Sequence, residues 1–448
     1  MEVVIYKKEN VKPSTPTHES LRIYQYSLLD QIFGVLYMPV VFFYPGGGSH
    51  HDYDKLRESL ARALSVWYPL AGRTRGDGSS VVECNDEGAD FVRANVRNFG
   101  LAEFLRRPEQ PLLRQLFPRN PYPVAFDPTQ PMLAVQVNRF KCGGTAVAIC
   151  LWHGLADGAA LSGFLQTWAE INRDQRSPTA VPPHSVVADA AAVFPPAKID
   201  VTKLLFSTVA QRNKARVRCI GKRFIFPKHE IEKLKDKYSD GRRRPTRVEA
   251  LSAFIWAAVI RATLKANCNF KAHFLLNTVD LRRRMNPPFH PTCLGNIFLS
   301  SAARWENNAA AAAAISGGDK SLVGKIREAI GKVTDDYVRE MFEGGGYLKT
   351  LVDERGGDDN QFFSISTWFK FECLKVDLGW GKPIWLGPGN NLDDLALLLD
   401  DVDGGIEAWI GLQPQVMCHL EKDHEFLAHV SLSQVVSGSD LLMTTSRL

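Results

Sequence analysis

The sequence lacks the patterns that mark several large classes of protein. Its eight cysteines are scattered over positions 84, 142, 150, 219, 268, 293, 373 and 418. They form no C-x-x-C pair and no cluster with histidine, which disfavours a zinc site and a disulfide framework. No G-x-G-x-x-G follows an apolar strand pattern, and the glycines at 46–48 precede no Lys-Ser or Lys-Thr at Walker spacing. A dinucleotide-binding enzyme and a phosphate loop are therefore both disfavoured.

Strong charge and long apolar runs are also missing. The net charge is only +5 over 448 residues, which by itself gives no reason to expect a nucleic-acid partner. No run approaches the roughly 18 apolar residues of a membrane helix, and the first residues show no signal-peptide pattern. Scattered thiols favour a reducing compartment. We therefore expect a cytoplasmic protein without a metal site, a membrane segment or a nucleic-acid partner.

The chain is long enough for two domains. It has a mass of 50.0 kDa, and 45% of its residues are hydrophobic. Between Pro178 and about Lys214 the composition shifts towards proline and alanine, which indicates a linker. We expect a first domain at 1–190, a crossover at 191–220 and a second domain at 221–448. Because helices do not alternate strictly with strands, the pattern predicts two mixed α+β domains with a cleft between them.

One stretch places a histidine between a hairpin and a helix. Residues 133–138 and 145–151 are β-rich runs, and apolar residues then recur from Leu161 to Ile171 at helical spacing. His153 leaves the second strand where the chain must turn, and a residue at a strand end can face a cleft while the sheet holds it still. The residues also allow a plainer interpretation, in which His153 is a buried core histidine and Asp157 caps the following helix.

The spacing His-x-x-x-Asp is weak evidence alone, because it occurs three times. His50 precedes a helix that begins near Tyr53, where Asp52 or Asp54 suits a helix cap. His419 lies among Glu421, Lys422 and Asp423, a charged segment that we expect on a solvated face. Only His153 has an apolar strand before it and an apolar helix after it, so context favours it over the other two.

Two motifs together carry a resemblance to a known family. His153-Gly-Leu-Ala-Asp157-Gly158 and Val376-Asp-Leu-Gly-Trp-Gly-Lys-Pro383 resemble the paired HxxxD and DFGWG motifs of the BAHD family, the plant acyl-CoA-dependent acyltransferases. Further matches in family order are Tyr68–Arg73, Asn85–Gly88, Thr246–Leu251, Asn286–Pro288 and Gly295-Asn296. The resemblance implies two chloramphenicol-acetyltransferase-like domains with mixed sheets. They would be joined by a long crossover loop, with the active-site channel at their interface.

The resemblance also implies an activity. His153 would act as general base while the acceptor attacks an acyl-CoA thioester directly in a ternary complex, so acyl-CoA is a co-substrate and no cofactor is permanently bound. The oxyanion would be stabilised by a donor on the strand before the second motif, where Ser366 and Trp368 resemble family positions. Core packing is the plainer interpretation of Trp368. The family is usually monomeric, and we expect the same here.

Other site residues are expected on the same grounds. Asp157 would pair with an arginine of the segment 280–284, of which Arg282 is our choice, and hold the loop that presents His153. The second motif would be structural and shape the second domain away from the chemistry, through Asp377, Gly379, Trp380 and Gly381. Leu378 replaces the usual Phe, which concerns packing rather than catalysis. Arg244, Thr246 and Lys370 resemble positions that face CoA, although a charge run such as 242–244 is more often a solvated loop.

The segments 12–17, 28–30 and 280–288 look closer to the family branch that acetylates alkaloids and alcohols. The sequence therefore favours transfer of an acetyl group from acetyl-CoA to a hydroxyl of a plant specialised metabolite. A hydroxycinnamoyl-CoA-dependent O- or N-acyltransferase stays open as an alternative, as does an amine acceptor. An alternative of another class is a non-catalytic member that binds CoA or acts as a scaffold, which the intact His153 and Asp157 disfavour.

Overall fold

The computed structural model describes residues 1–46, 51–106, 108–123, 125, 127–173, 190–198, 201, 219–241, 243–266, 269–316, 318–343, 346–347, 359–371, 373–390, 392–401 and 403–431. Its strands are β1 Glu2–Val11, β2 Ile23–Gln25, β3 Tyr37–Tyr44, β4 Arg73–Thr74, β5 Val81–Glu83, β6 Ala89–Arg97, β7 Leu133–Phe140, β8 Thr145–Trp152, β9 Ile220–Phe226, β10 Ala272–Asp280, β11 Phe298–Glu306, β12 Asn360–Thr367, β13 Trp385–Pro388, β14 Leu395–Asp400 and β15 Ile406–Leu412. Its α-helices are α1 Leu28–Phe33, α2 Tyr53–Val66, α3 Leu101–Arg106, α4 Gln110–Arg114, α5 Gly158–Arg173, α6 Ala190–Val193, α7 Lys228–Lys237, α8 Arg247–Lys265, α9 Ala309–Ser316, α10 Ser321–Gly331, α11 Asp335–Phe342, α12 Pro414–Leu420 and α13 His424–Leu427. Single 3-10 turns lie at Glu19–Leu21, Tyr68–Ala71, Phe369–Phe371 and Cys373–Lys375.

The first six-stranded sheet has the order β1-β6-β7-β8-β3-β13. Strands β6 and β7 pair in parallel, and the other neighbours are antiparallel. Every residue of β3 and β8 is buried, as expected for central strands covered on both faces. The predicted hairpin is confirmed as β7 and β8, with Leu133 paired to Leu151. His153 follows β8 directly, so the central part of the sheet fixes its backbone.

The second six-stranded sheet has the order β11-β10-β12-β14-β15-β9. Its centre is parallel, because β12 pairs in parallel with both β10 and β14. Helix α8 lies in the core of this half, and its residues from Ala250 to Thr263 are all buried. A capping box begins this helix: the Thr246 hydroxyl accepts from the Glu249 N–H, and the Glu249 carboxylate accepts from the Thr246 N–H.

The sheets do not follow the expected division of the chain. Strand β13 lies within the segment 221–448, yet it forms the edge of the first sheet, where Trp385 pairs with Phe43. Sequence patterns do not show which strand a short apolar run will pair with, because such pairing is long-range. Most of the expected crossover at 191–220 lies outside the described residues.

One local expectation also needs correction. Asp423 is not on a solvated face: it is 5% exposed, its carboxylate pairs with the buried Arg261 at 2.8 and 3.2 Å, and it caps α13. The alanine-rich segment 309–314 lies in α9. Asp52 caps α2 as expected, while His50 lies outside the described residues. No helix in the described part of the chain is long and apolar enough to cross a membrane.

Candidate active site

His153 lies at the end of β8 and is fixed on several sides. The backbone N–H of His153 donates to the carbonyl of Leu36 at 2.9 Å. The Phe33 ring stacks on the imidazole with 4.9 Å between centroids and 20° between planes, and the Phe298 ring is 6.4 Å away. The residue is half-buried, but its Nδ1 atom is buried and makes no hydrogen bond within the described structure.

The environment keeps this imidazole neutral. Burial lowers the pKa of His153 from its ordinary value of 6.5, and the nearby negative charge of Asp157 opposes this only in part. At neutral pH the ring is therefore unprotonated. A neutral imidazole is the form that a general base requires, so the electrostatics suit the role expected from the sequence.

Asp157 combines the two roles that the sequence left open. Its Oδ1 accepts from the N–H groups of Ala159 and Ala160 at 3.1 and 3.0 Å, which caps α5. The same carboxylate forms a bidentate pair with Arg282, with nitrogen to oxygen distances of 2.7 and 2.9 Å. Its Oδ2 also accepts from the Ile297 N–H at 3.1 Å. Asp157 thus ties the turn after His153 to the second half of the chain.

Arg282 is 1% exposed and makes further contacts across the same junction. Its guanidinium donates to the carbonyls of Cys293 and Gly295 at 2.9 and 3.2 Å and to the Asp280 carboxylate at 3.3 Å. Burial alone would lower the pKa of Arg282, but the negative charge of Asp157 raises it overall, so the guanidinium stays charged. We call residues 293–297, which lie across the turn 153–157, the strap.

The sequence analysis missed two site residues, Asn296 of the strap and Asp30 of α1. Asn296 is 0% exposed, and its Nδ2 donates to the carbonyl of His153 at 2.6 Å and to Asp30 Oδ1 at 2.9 Å. The Asp30 carboxylate also accepts from the Asn296 N–H at 2.7 Å and from the Ser27 N–H at 2.9 Å. The only signal in the sequence was that both residues fall in segments resembling the family, without an assigned role.

Ser366 and Trp368 lie at the end of β12. Ser366 is half-buried, whereas Trp368 is 9% exposed, and its backbone N–H donates to the Leu398 carbonyl at 2.9 Å. The Trp368 ring contacts Phe371 edge-on with 6.0 Å between centroids. In the described part of the chain, neither residue makes a hydrogen bond or ring contact with His153. Their role in catalysis stays a prediction.

The second motif forms a tight turn. Asp377 Oδ1 accepts from the N–H groups of Gly379 and Gly381 at 2.8 and 3.0 Å, and both glycines have positive φ angles, 78° and 85°. Such angles favour glycine, because a Cβ would strain the backbone there. Trp380 stacks on His51 with 4.4 Å between ring centroids.

The turn packs on the first half of the chain, not on the second domain as expected. Asn172 and Arg173, at the end of α5, donate to the carbonyls of Leu378 and Asp377 at 2.7 and 2.9 Å. Leu378 is 2% exposed and belongs to the first hydrophobic core. The smaller aliphatic residue is therefore accommodated in a buried position. The expectation failed because position along the chain does not reveal the sheet against which a turn packs.

Two of the three residues expected to contact CoA have side chains that the structure describes. Arg244 is an exposed side chain whose guanidinium pairs with Glu232 at 2.9 Å and Asp236 at 2.8 Å. Thr246 uses its hydroxyl to cap α8. The side chain of Lys370 lies outside the described residues. Arg244 and Thr246 therefore have local structural partners. Contact of Arg244, Thr246 and Lys370 with CoA stays a prediction.

Comparisons with known proteins give the family of the chain. A family model described as the Transferase family matches residues 1–427. Limonoid 21-O-acetyltransferase of Citrus sinensis is 32% identical over 440 residues, which cover 96% of this chain and 99% of the relative. Salutaridinol 7-O-acetyltransferase of Papaver somniferum is 30% identical over 468 residues, with 94% and 96% covered.

Solved structures show the same fold. The crystal structure of vinorine synthase matches with a TM-score of 0.79 and 28% identity, over 97% of this chain and 100% of that one. TRI101 of F. sporotrichioides, solved with coenzyme A and T-2, matches with a TM-score of 0.73 and 19% identity, over 91% and 99%. The α+β fold with two mixed sheets is thereby confirmed. The chain belongs to the Transferase family, the BAHD acyltransferases that its motifs resemble, and is an acyl-CoA-dependent acyltransferase.

Proposed function

We propose that this enzyme transfers an acetyl group from acetyl-CoA to a hydroxyl of a plant specialised metabolite, with His153 as general base. The observation that carries the assignment of the base is the fixed, neutral imidazole of His153 at the end of β8. The acceptor class follows from the relatives, which are named as acetyltransferases of limonoids and of salutaridinol.

The reaction needs no covalent enzyme intermediate. The thioester of acetyl-CoA is already activated, so the acceptor oxygen attacks the carbonyl carbon directly while His153 takes the hydroxyl proton. The tetrahedral intermediate then collapses, the carbon–sulfur bond breaks, and the proton passes from His153 to the leaving thiolate. We assign the stabilisation of the oxyanion to Trp368 or Ser366, and a donor of this kind is worth about 3 kcal/mol of barrier.

Binding of CoA by Arg244 and Thr246 at the start of α8, and by Lys370 two residues beyond Trp368, is part of the same proposal. A phosphate at Arg244 would compete with Glu232 and Asp236, which pair with its guanidinium. Arg244→Gln is then expected to raise the KM for acetyl-CoA with kcat unchanged. An unchanged KM would remove Arg244 from the CoA site.

The proposal also includes an active-site channel at the interface of the two domains, a monomeric state and a cytoplasmic location. Light scattering coupled to gel filtration tests the monomeric state.

The first experiment is a free-thiol release assay with acetyl-CoA and hydroxycinnamoyl-CoA against alcohols, phenols and amines. Wild type is compared with His153→Ala and with the matched control His419→Ala, which has the same His-x-x-x-Asp spacing. We expect turnover with acetyl-CoA and an alcohol, lost in His153→Ala and kept in His419→Ala. Activity that survives in a folded His153→Ala variant would overturn the assignment of the base. Turnover only with hydroxycinnamoyl-CoA, or only with amines, would overturn the donor or the acceptor.

A further inference from the structure

The end of α1 and the residues that follow it lie against His153. The Leu36 carbonyl accepts the backbone N–H of His153 at 2.9 Å. Gly34 approaches the next turn so closely that a Cβ on Gly154 would come within 2.7 Å of the Gly34 Cα. Phe33, the last residue of α1, places its ring nearly parallel to the imidazole, with 4.9 Å between centroids and 20° between planes. This segment therefore meets both the backbone and the side chain of His153.

Phe33 is itself held in place. Its ring contacts the Phe298 ring with 4.7 Å between centroids and 38° between planes. Asp30 lies three residues earlier on the same face of α1, and its carboxylate accepts from the backbone N–H and the Nδ2 of Asn296. Asn296 in turn binds the His153 carbonyl at 2.6 Å. Helix α1 is therefore tied to the histidine through both Asp30 and Phe33, which leaves the Phe33 ring little freedom to move away.

The backbone contacts do not set the plane of the imidazole. The terminal torsion of a histidine is broad, so a ring whose backbone is fixed can still rotate. Polar groups of Asn296, Ala156 and His153 itself favour the charged ring, but Nδ1 makes no hydrogen bond of ordinary length and angle within the described structure. Aromatic rings attract each other in preferred arrangements, of which the offset stack is one. The stack with Phe33 is therefore a contact that restricts this rotation.

We propose that Phe33 is a positioning residue for His153: its ring fixes the plane of the imidazole and covers one of its faces. A general base must direct its lone pair at the acceptor hydroxyl, and a misplacement of about 1 Å can cost about 100-fold in rate. Phe33, Phe298 and His153 are each half-buried, so every one of the three rings keeps some accessible surface. The cover on one face therefore leaves the base open to an acceptor from another side.

The Phe33 ring acts on the charge of the imidazole in two opposite ways. An apolar cover keeps water away and disfavours the charged ring, whereas the face of a phenyl ring attracts a cation. Burial is the largest influence on the pKa of His153, and it lowers this pKa, so removal of the cover should raise it. The charged groups of the elements that pack on His153 stay in every variant: Asp30 of α1, Asp157 of the turn after β8, Asp280 at the end of β10, and Arg282.

The direct measurement is the mobility of the His153 ring, read from ¹³C relaxation of its ring C–H groups in the full-length enzyme. The His153 signals are those that disappear in His153→Ala. In the wild type we expect an order parameter near the value of a rigid backbone, about 0.85. Phe33→Leu keeps an apolar side chain but no ring, and it should lower this order parameter. A mobile ring in the wild type, or a ring equally ordered in Phe33→Leu, would overturn the proposal.

Kinetics separate positioning of the base from binding of the acceptor. Phe33→Leu should lower kcat about 10- to 100-fold, change the KM for acetyl-CoA less than about twofold, and keep the acid limb of kcat/KM below pH 6.5. A raised KM for the acceptor with kcat unchanged would show that Phe33 binds the acceptor instead, and would overturn the proposal. Phe99→Leu is the matched control, because Phe99 is another half-buried phenylalanine of the first half, 6.4 Å from the Phe104 ring. It should leave kcat, KM and ring mobility unchanged.

Phe33→Ala removes the cover as well as the ring. Its acid limb should move up towards pH 6.5, because water reaches the imidazole and the pKa of His153 rises. A limb that stays in place or moves down would overturn the covering role. If the Phe33 variants do not fold, Phe298→Leu takes their place, since it removes the ring behind Phe33. It should lower the order of the His153 ring and kcat by a smaller factor, and unchanged values would overturn the proposal.

The kinetic part of this inference rests on His153 as the base of the proposed function. If His153→Ala stays active, the proposed function fails, while the mobility of the imidazole still decides whether Phe33 fixes it. If His153→Ala is inactive and the ring is mobile or indifferent to Phe33→Leu, the proposed function stands and the role of Phe33 fails. The two outcomes are therefore distinguishable.

Discussion

The bidentate pair between Asp157 and Arg282 should be a main source of stability at the junction of the two halves. Asp157→Asn keeps the size of the side chain but removes the charge opposite a guanidinium that is 1% exposed. Breaking one side of a buried pair costs about 3–5 kcal/mol. Arg282 would keep three other acceptors: the carbonyls of Cys293 and Gly295 and the more exposed carboxylate of Asp280. Because these still bind the guanidinium, we expect a loss of unfolding free energy near the low end, about 3 kcal/mol.

Asp157→Ala should cost more, because it also removes the cap of α5. The N-cap acceptor is typically worth about 1 kcal/mol, so the expected loss of unfolding free energy rises to about 4 kcal/mol. Urea unfolding followed by the fluorescence of the nine tryptophans measures both variants. The control is Glu306→Gln, which breaks an exposed pair with Arg304 at 3.3 Å, with side-chain exposures of 63% and 59%. That change should cost less than about 1 kcal/mol.

The test is a comparison of the unfolding free energies of Asp157→Asn, Asp157→Ala and wild type. If Asp157→Asn lies within about 1 kcal/mol of wild type, the buried pair does not hold the junction, and the argument from burial is refuted. If Asp157→Ala and Asp157→Asn are equally stable, the cap contributes nothing measurable. Catalysis should fall in both variants, because the turn that presents His153 loses its anchor.

Three further predictions follow from single groups. The acid limb of kcat/KM against pH should lie below pH 6.5, because the base acts unprotonated and burial lowers the pKa of His153; a limb centred above pH 7 would contradict this. Burial lowers the pKa of His273 to about 3, so the folded state resists a proton that the unfolded chain takes up near pH 6.5. Its contribution to stability is therefore full above pH 6.5 and falls by about 1.4 kcal/mol per pH unit below it. Urea unfolding between pH 6 and 5 measures how the unfolding free energy changes with pH. His273→Gln should reduce this change by the contribution of one proton, and an unchanged pH dependence would contradict the lowered pKa of His273. Thr246→Ala should lower the unfolding free energy by about 1 kcal/mol while Thr246→Ser stays close to wild type, and equal losses would show that the hydroxyl cap is not the cause.

Several elements of the fold can be predicted from residue patterns within short segments of the chain. The hairpin before His153, the helix after it and the capping box of α8 are each specified by residues close together in the chain, so spacing alone indicates them. The resemblance added the choice of Arg282 as the partner of Asp157, and the structure brings the two together.

What the sequence did not show depends on distant segments. Asp30, Asn296 and His153 come from three separate stretches, and only the folded chain places the amide of Asn296 between the other two. Asp423 looked solvated because its neighbours in sequence are charged, but its environment is set by Arg261, which lies 162 positions away. Composition near a residue does not report the residues that fold against it.

The position of β13 has a consequence for how the enzyme is made. Tyr44, at the end of β3, bonds to Val376 just before β13, and the two are 332 positions apart. At ~5–20 residues per second, roughly 20–70 s of synthesis pass before the ribosome supplies the edge of the first sheet. During that time the apolar strand β3 has an unpaired edge, a surface that invites association with other chains. A nascent chain of this enzyme is therefore exposed to aggregation longest at the strand that borders His153, and chaperone supply should limit its yield more than its final stability does.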